Sequence, residues 1–189
     1  MTHVSIIGTG NMGGALDAVL TRGGVAHTLV AKGAALPADT DIVVLAVPYG
    51  AVADVLATYG DALTGKVVVD LTNPVDFETF DSLVVPADSS AAAEIAAALP
   101  GASVLKAFNT TFAGALAGGT VLENPTTVLV AGDDADAKAL LADAVSAGGL
   151  TVVDAGSLKR ARELEALGFL QITLAAAEKT SWATGFQLA

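Results

Sequence analysis

Cysteine is absent from the 189 residues, which excludes disulfides, thiolate metal sites and a cysteine nucleophile. Histidine is scarce: His3 and His27 are the only two, each in or beside a predicted strand, and a structural role for both leaves metal chemistry without its usual ligands. Cations are few as well. Nine Lys and Arg stand against 20 Asp and Glu, for a formal charge of -11, and the nine do not cluster, so no nucleic-acid partner is expected. A site for an anionic ligand must therefore be local. The acidic residues are spread along the chain, and we read the acidity as a solubility property. The longest apolar run near the end, ALGFLQITLAAA, falls short of the ~20 residues that span a bilayer, so no membrane partner is expected. No basic segment precedes the first predicted strand, which argues against a signal peptide, and a cytoplasmic location is the expectation.

What is present is apolar and regularly ordered. Hydrophobic residues make up 53% of the chain, many of them alanine. A chain of this length fits one domain, residues 1–189, that buries roughly 70% of its unfolded surface. Short β-rich runs alternate with alanine-rich helical runs: HVSIIG, AHTLVA, DIVVLAV, KVVVDL, ASVLKAF, TTVLVAG and LTVVDA are the strand candidates. Most are continuously apolar, as in a parallel sheet covered on both faces. Several helical runs stop at Gly, and one opens with Asp133, Asp134 and Asp136, where carboxylates suit the positive end of a helix dipole. The fold class is α/β, a doubly wound, mostly parallel Rossmann sheet. From Lys32 to Asp41 the chain is too short, and too broken by Gly33 and Pro37, for the usual second crossover helix, so a loop is expected. A helical segment follows at about residues 156–189. It begins amphipathic, with Lys159, Arg162 and Glu163 on one side and Leu158, Ala161 and Leu164 on another, and carries no charge from Ala166 to Ala177. A helix apolar all round belongs under the rest of the fold or against a second subunit; a homodimer is the preferred reading.

Gly8, Gly10 and Gly13 form G-x-G-x-x-G between a predicted strand and a predicted helix. The first glycine permits the tight turn, the second lets the backbone approach a pyrophosphate, and the third allows close helix packing. This is a dinucleotide-binding arrangement, with the phosphates on the helix amino terminus. NAD-binding chains usually carry an acid at the end of the second strand; here no acidic residue occurs from Ala18 to Ala38, and Lys32 stands there instead. The reading is NADP(H). Three further strand ends point to the same edge: LAVPYG, with Ala46, Val47, Pro48 and Tyr49; DLTNP, with Asn73 and Pro74; and KAFNT, with Asn109 and Thr110.

In order along the chain, IIGTGNMG, the VP after the third strand, DLTNP, SSAAAEIAAALPGASVLKAFNT, AGDD and DAGSLKRARELE resemble the NADP oxidoreductase, coenzyme F-420-dependent family. That family includes the reductase domain of membrane ferric reductases. The resemblance implies NADPH binding and hydride transfer to or from a flavin-like ring, deazaflavin F-420 foremost, with the two rings stacked and no general acid or base in the hydride step. It places Thr9, Asn11 and Met12 at the pyrophosphate, and Pro48 with Asn73 beside the nicotinamide. Asn109, Thr110 and Trp182 would border the second ring. The family often has Ser or Thr and then Arg at the 2'-phosphate; Ala31 and Lys32 stand there instead. One neutral donor is lost and the cation becomes a point charge rather than a fork. Two other readings use the same turn. One is a reductase of small carbonyl or imine substrates, which needs a further helical domain where only about 35 residues follow the last strand. The other is an NADPH-binding sensor or a reductase module that serves a partner.

Overall fold

In the computed structural model, which describes residues 2–188, the predicted runs become strands of one sheet. The chain forms β1 (His3–Ile7), α1 (Asn11–Arg22), β2 (Ala26–Val30), β3 (Ile42–Leu45), α2 (Val52–Tyr59), β4 (Val67–Asp70), α3 (Ala91–Ala98) and β5 (Ser103–Ala107). It continues through α4 (Ala113–Gly118), β6 (Thr120–Val121), β7 (Asn124–Pro125), β8 (Thr127–Gly132), α5 (Ala135–Ala147), β9 (Thr151–Gly156) and α6 (Ala161–Ala176). Strands β6 and β7 pair only with each other; the other seven lie in the order β2-β1-β3-β4-β5-β8-β9.

The strands read as unbroken apolar runs because alternate residues enter two different cores. Ile6, Val44, Val69 and Leu105 pack on one face against Leu16, Val19, Leu116 and Leu141 of α1, α4 and α5. Ile7, Val43, Val68 and Val104 pack on the other against Val55 and Tyr59 of α2 and Ile95 of α3. As expected, residues between β2 and β3 form no helix, and β2 is left as an edge strand. Side chains of the core hold that loop: Tyr59 Oη donates to the Ala34 carbonyl at 2.8 Å, and the hydroxyls of Thr40 and Ser5 bond at 2.8 Å. His3 bonds Asp39 and Thr28, and His27 bonds the Val25 carbonyl and Asp17, so His3 ties the loop to the sheet and His27 ties α1 to β2.

Two features go beyond the sequence reading. Strand β8 runs antiparallel to β5, which turns β8 and β9 over and sends the DAGSLK run to the opposite edge from the glycine turn. The chain recovers direction through α6, which climbs back across the face shared with α3. Helix α6 is also not buried all round. Leu164, Gly168, Ile172 and Ala175 face inward, whereas Leu170 and Leu174 are 54% and 41% exposed.

Candidate active site at the carboxyl edge of the sheet

After β1 the chain goes first to β2 on one side and then to β3 on the other, so a crevice opens between the carboxyl ends of β1 and β3. Gly8 turns there with φ 116°, and any Cβ on it would strike the Ala46 carbonyl. A Cβ on Gly13 would strike the Gly8 carbonyl, so these two glycines seal the turn against β3 and α1. Gly10 is different: a Cβ there meets no atom within 4 Å. It caps α1 with no side chain accepting from the first-turn N–H groups, which leaves those donors facing open space beside exposed Thr9 and Asn11. Met12 turns inward onto the core. The arrangement suits a pyrophosphate.

A cavity of about 240 Å³ adjoins the turn. Ile7, Val30, Val47 and Val55 make it largely apolar, and Lys32 lines it from the loop after β2. Sequence reasoning found Val47 and Lys32 but missed the α2 contribution, Asp54, Val55 and Thr58, because nothing in a helical run reveals which turn faces a crevice. Ala46 is wedged against Gly8, and exposed Pro48 leads into the turn that carries Tyr49. Burial and the hydrogen bond that Tyr49 donates to Glu94 push its phenol up to about 12.

Asn73 and Asn109, at the ends of β4 and β5, meet. Asn73 Nδ2 donates to the Asn109 carbonyl at 3.0 Å; Asn109 Nδ2 donates to Asn73 Oδ1 at 3.1 Å and to the Leu164 carbonyl of α6 at 2.8 Å. Gly168 lies on this seam, with no room for a Cβ against the two asparagines. Their amide groups therefore serve first to join β4, β5 and α6. Pro74 is buried and its carbonyl accepts from Val84, within the long loop that follows. Thr110 is buried with a hydroxyl that finds no protein partner, as do Asn109 Oδ1 and the Thr72 hydroxyl. The chain after α6 lies along this edge: Phe112 N–H donates to the Thr184 carbonyl, and Phe186 N–H to that of Thr110. Trp182 consequently packs on Phe112 at 5.0 Å between ring centroids and stays 55% exposed. Phe112 was not singled out from the sequence, although it follows KAFNTT directly.

Beneath the seam lies a charged group that sequence reasoning also missed. Asp70 and Lys106 are register partners on β4 and β5 and are fully buried. Lys106 Nζ donates to Asp70 Oδ2 at 2.8 Å and to the Thr72 carbonyl at 2.5 Å, and lies 2.9 Å from Glu165 Oε1 of α6. Glu165 also accepts from the Ala91 and Ala92 N–H groups at the start of α3. Burial pushes the Glu165 carboxyl above its usual range, against the pull of Lys106 and these N–H groups. The signal was an Asp and a Lys inside otherwise apolar neighbouring strands; a buried charge requires a partner. Among the described residues, no group of three His, Cys, Asp or Glu is placed to hold a metal ion, and no helix is long and apolar enough to cross a membrane.

The model of the family NADP oxidoreductase, coenzyme F420-dependent, matches residues 31–74, from the Lys32 loop to Asn73-Pro74. The rat metalloreductase STEAP3 is 37% identical over 112 residues, which cover 59% of this chain and 22% of that protein. The F420-dependent NADP reductase of Methanocaldococcus jannaschii is 30% identical over 142 residues, covering 72% of this chain and 62% of that protein. The chain thus spans less than two thirds of either curated relative. The crystal structure of a candidate F420-dependent NADP-reductase from Arthrobacter sp. FB24 superposes with a TM-score of 0.81 at 26% identity, over 98% of both chains. By the matched segment, by these relatives and by the shared fold, the chain is similar to the NADP oxidoreductase, coenzyme F420-dependent family.

Proposed function

We propose that this protein is an NADP-dependent oxidoreductase that transfers hydride between the nicotinamide of NADP(H) and a flavin-like small molecule, deazaflavin F-420 foremost. One observation carries the reading. The uncapped glycine turn follows the carboxyl end of β1 and the pair of half-buried Phe112 and exposed Trp182 follows that of β5, so two flat rings bound there would share one edge of the sheet. The relatives named above support the chemistry.

Bound NADPH supplies the hydride. The chain's own residues bind and orient. The first-turn N–H groups of α1, that of Met12 among them, with Thr9 and Asn11 beside them, hold the pyrophosphate, and Lys32 meets the 2'-phosphate. Pro48 walls the nicotinamide side, Ala46 backs the glycine turn and Val47 lines the cavity beside Lys32. The Asn73–Asn109 seam forms the floor between the two rings; Thr110, with its unpaired hydroxyl, and Trp182 border the acceptor. Positioning of this kind supplies the rate enhancement, because the hydride step asks no side chain to become an acid or a base. We also place a second copy of the chain on the exposed Leu170 and Leu174 face of α6.

The test mixes purified protein with NADPH, or separately NADH, and follows oxidation at 340 nm with F-420, FMN or no acceptor. Turnover with NADPH and the deazaflavin is the expected result. Tight NADPH binding with no turnover by any acceptor would replace the enzyme reading with a sensor.

A further inference from the structure

The missing acid at the end of β2 has a substitute on another element. Asp54, in the first turn of α2, lines the same cavity as Lys32, which comes from the loop after β2. The rest of the lining is largely apolar, through Ile7, Val30, Val47 and Val55, a chemistry suited to a flat ring such as adenine. Lys32 is the one cation and Asp54 the one carboxylate among the lining residues. Among the described residues neither takes part in an ion pair. Both are exposed, so their charges act on whatever enters the cavity mouth.

We propose that Asp54 is a specificity-determining residue that narrows this protein's preference for a 2'-phosphorylated over an unphosphorylated dinucleotide. The proposal rests on the dinucleotide reading of the cavity. A 2'-phosphate brings roughly two negative charges; Lys32 attracts them and Asp54 repels them across the same cleft. A free ribose hydroxyl, by contrast, can donate to the Asp54 carboxylate, as it does to the acid that NAD-binding chains carry on β2. Charge balance between two elements thus sets the discrimination, rather than one residue at the strand end.

Calorimetric titration of the full chain with 2',5'-ADP and with 5'-ADP separates the two effects. Asp54→Asn should tighten 2',5'-ADP about three- to tenfold and leave 5'-ADP unchanged or weaker, with the gain shrinking as salt is raised. Lys32→Ala should weaken 2',5'-ADP selectively. Circular dichroism of each variant checks that the fold is kept, and Asp54→Ala repeats the measurement without a new amide. If Asp54→Asn shifts both probes equally, or leaves 2',5'-ADP no tighter, the role of Asp54 is overturned while the dinucleotide site stands. If neither probe binds the unmodified protein, the dinucleotide reading falls and this proposal falls with it.

Discussion

Replacing Lys106 by Met removes the cation from between two carboxylates that have no access to water. Asp70 and Lys106 are 0% exposed and Glu165 is 1% exposed. Met fills most of the side-chain volume, so the loss is chiefly electrostatic. Removing one partner of a buried ion pair typically costs about 3–5 kcal/mol, and here one cation serves two carboxylates. Against a domain stability of about 5–15 kcal/mol, Lys106→Met should lose roughly a fifth or more of the total. The cost also depends on pH. Burial already raises the Glu165 carboxyl above its unfolded value, so its contribution favours folding most at acid pH and declines as pH rises through the folded value. Without Lys106, one of the forces that lowers that value is gone, and the decline becomes larger. Urea unfolding of both proteins between pH 5 and pH 8 measures this, and the destabilisation should be smaller at pH 5. Replacing Lys106, Asp70 and Glu165 together by Met, Asn and Gln should recover part of the loss. A destabilisation below about 1 kcal/mol that does not change with pH would refute the view that this group is a buried charged clamp.

The glycine turn separates packing from ligand approach. Gly13→Ala drives a Cβ into the Gly8 carbonyl and should lower both stability and NADPH affinity; Gly10→Ala meets no protein atom, so urea unfolding should change by less than about 0.5 kcal/mol while NADPH titration shows at least a roughly tenfold weaker complex. Trp182→Ala removes half of the aromatic pair and should raise KM for the flavin-like acceptor severalfold, with NADPH affinity unchanged in a direct titration. Leu170→Glu, on the exposed face of α6, should convert a dimer to a monomer in light scattering at micromolar concentration; an unaltered mass would remove that face as the contact.

How legible the site was depended on range in sequence. The turn from Gly8 to Gly13 is a local object: its spacing, the strand before it and the helix after it are all contiguous, and the structure gives Gly8 and Gly13 distinct steric tasks while Gly10 borders open space. The loop between β2 and β3 was readable for the same reason, since Gly33 and Pro37 lie within it. The pairing of Asn73 with Asn109 was not readable. Each residue marks a strand end, but their contact requires β4 and β5 to be neighbours in register and α6 to return over both. Trp182 was assigned to the acceptor side, yet its partner Phe112 emerges only because the last segment pairs with the chain after β5.

Composition and periodicity were enough for the α/β class, the order of the strands in the main sheet along the chain and the glycine turn, because backbone propensity and hydrophobic patterning act over a few residues at a time. Direction and partnership needed the folded chain. That β8 reverses against β5, that Glu165 closes on Lys106 from about 60 residues away, and that Asp54 and Lys32 line one cavity are consequences of packing two layers of helices on a sheet. Charges far apart in sequence acquire meaning only when burial and topology bring them within reach of one another.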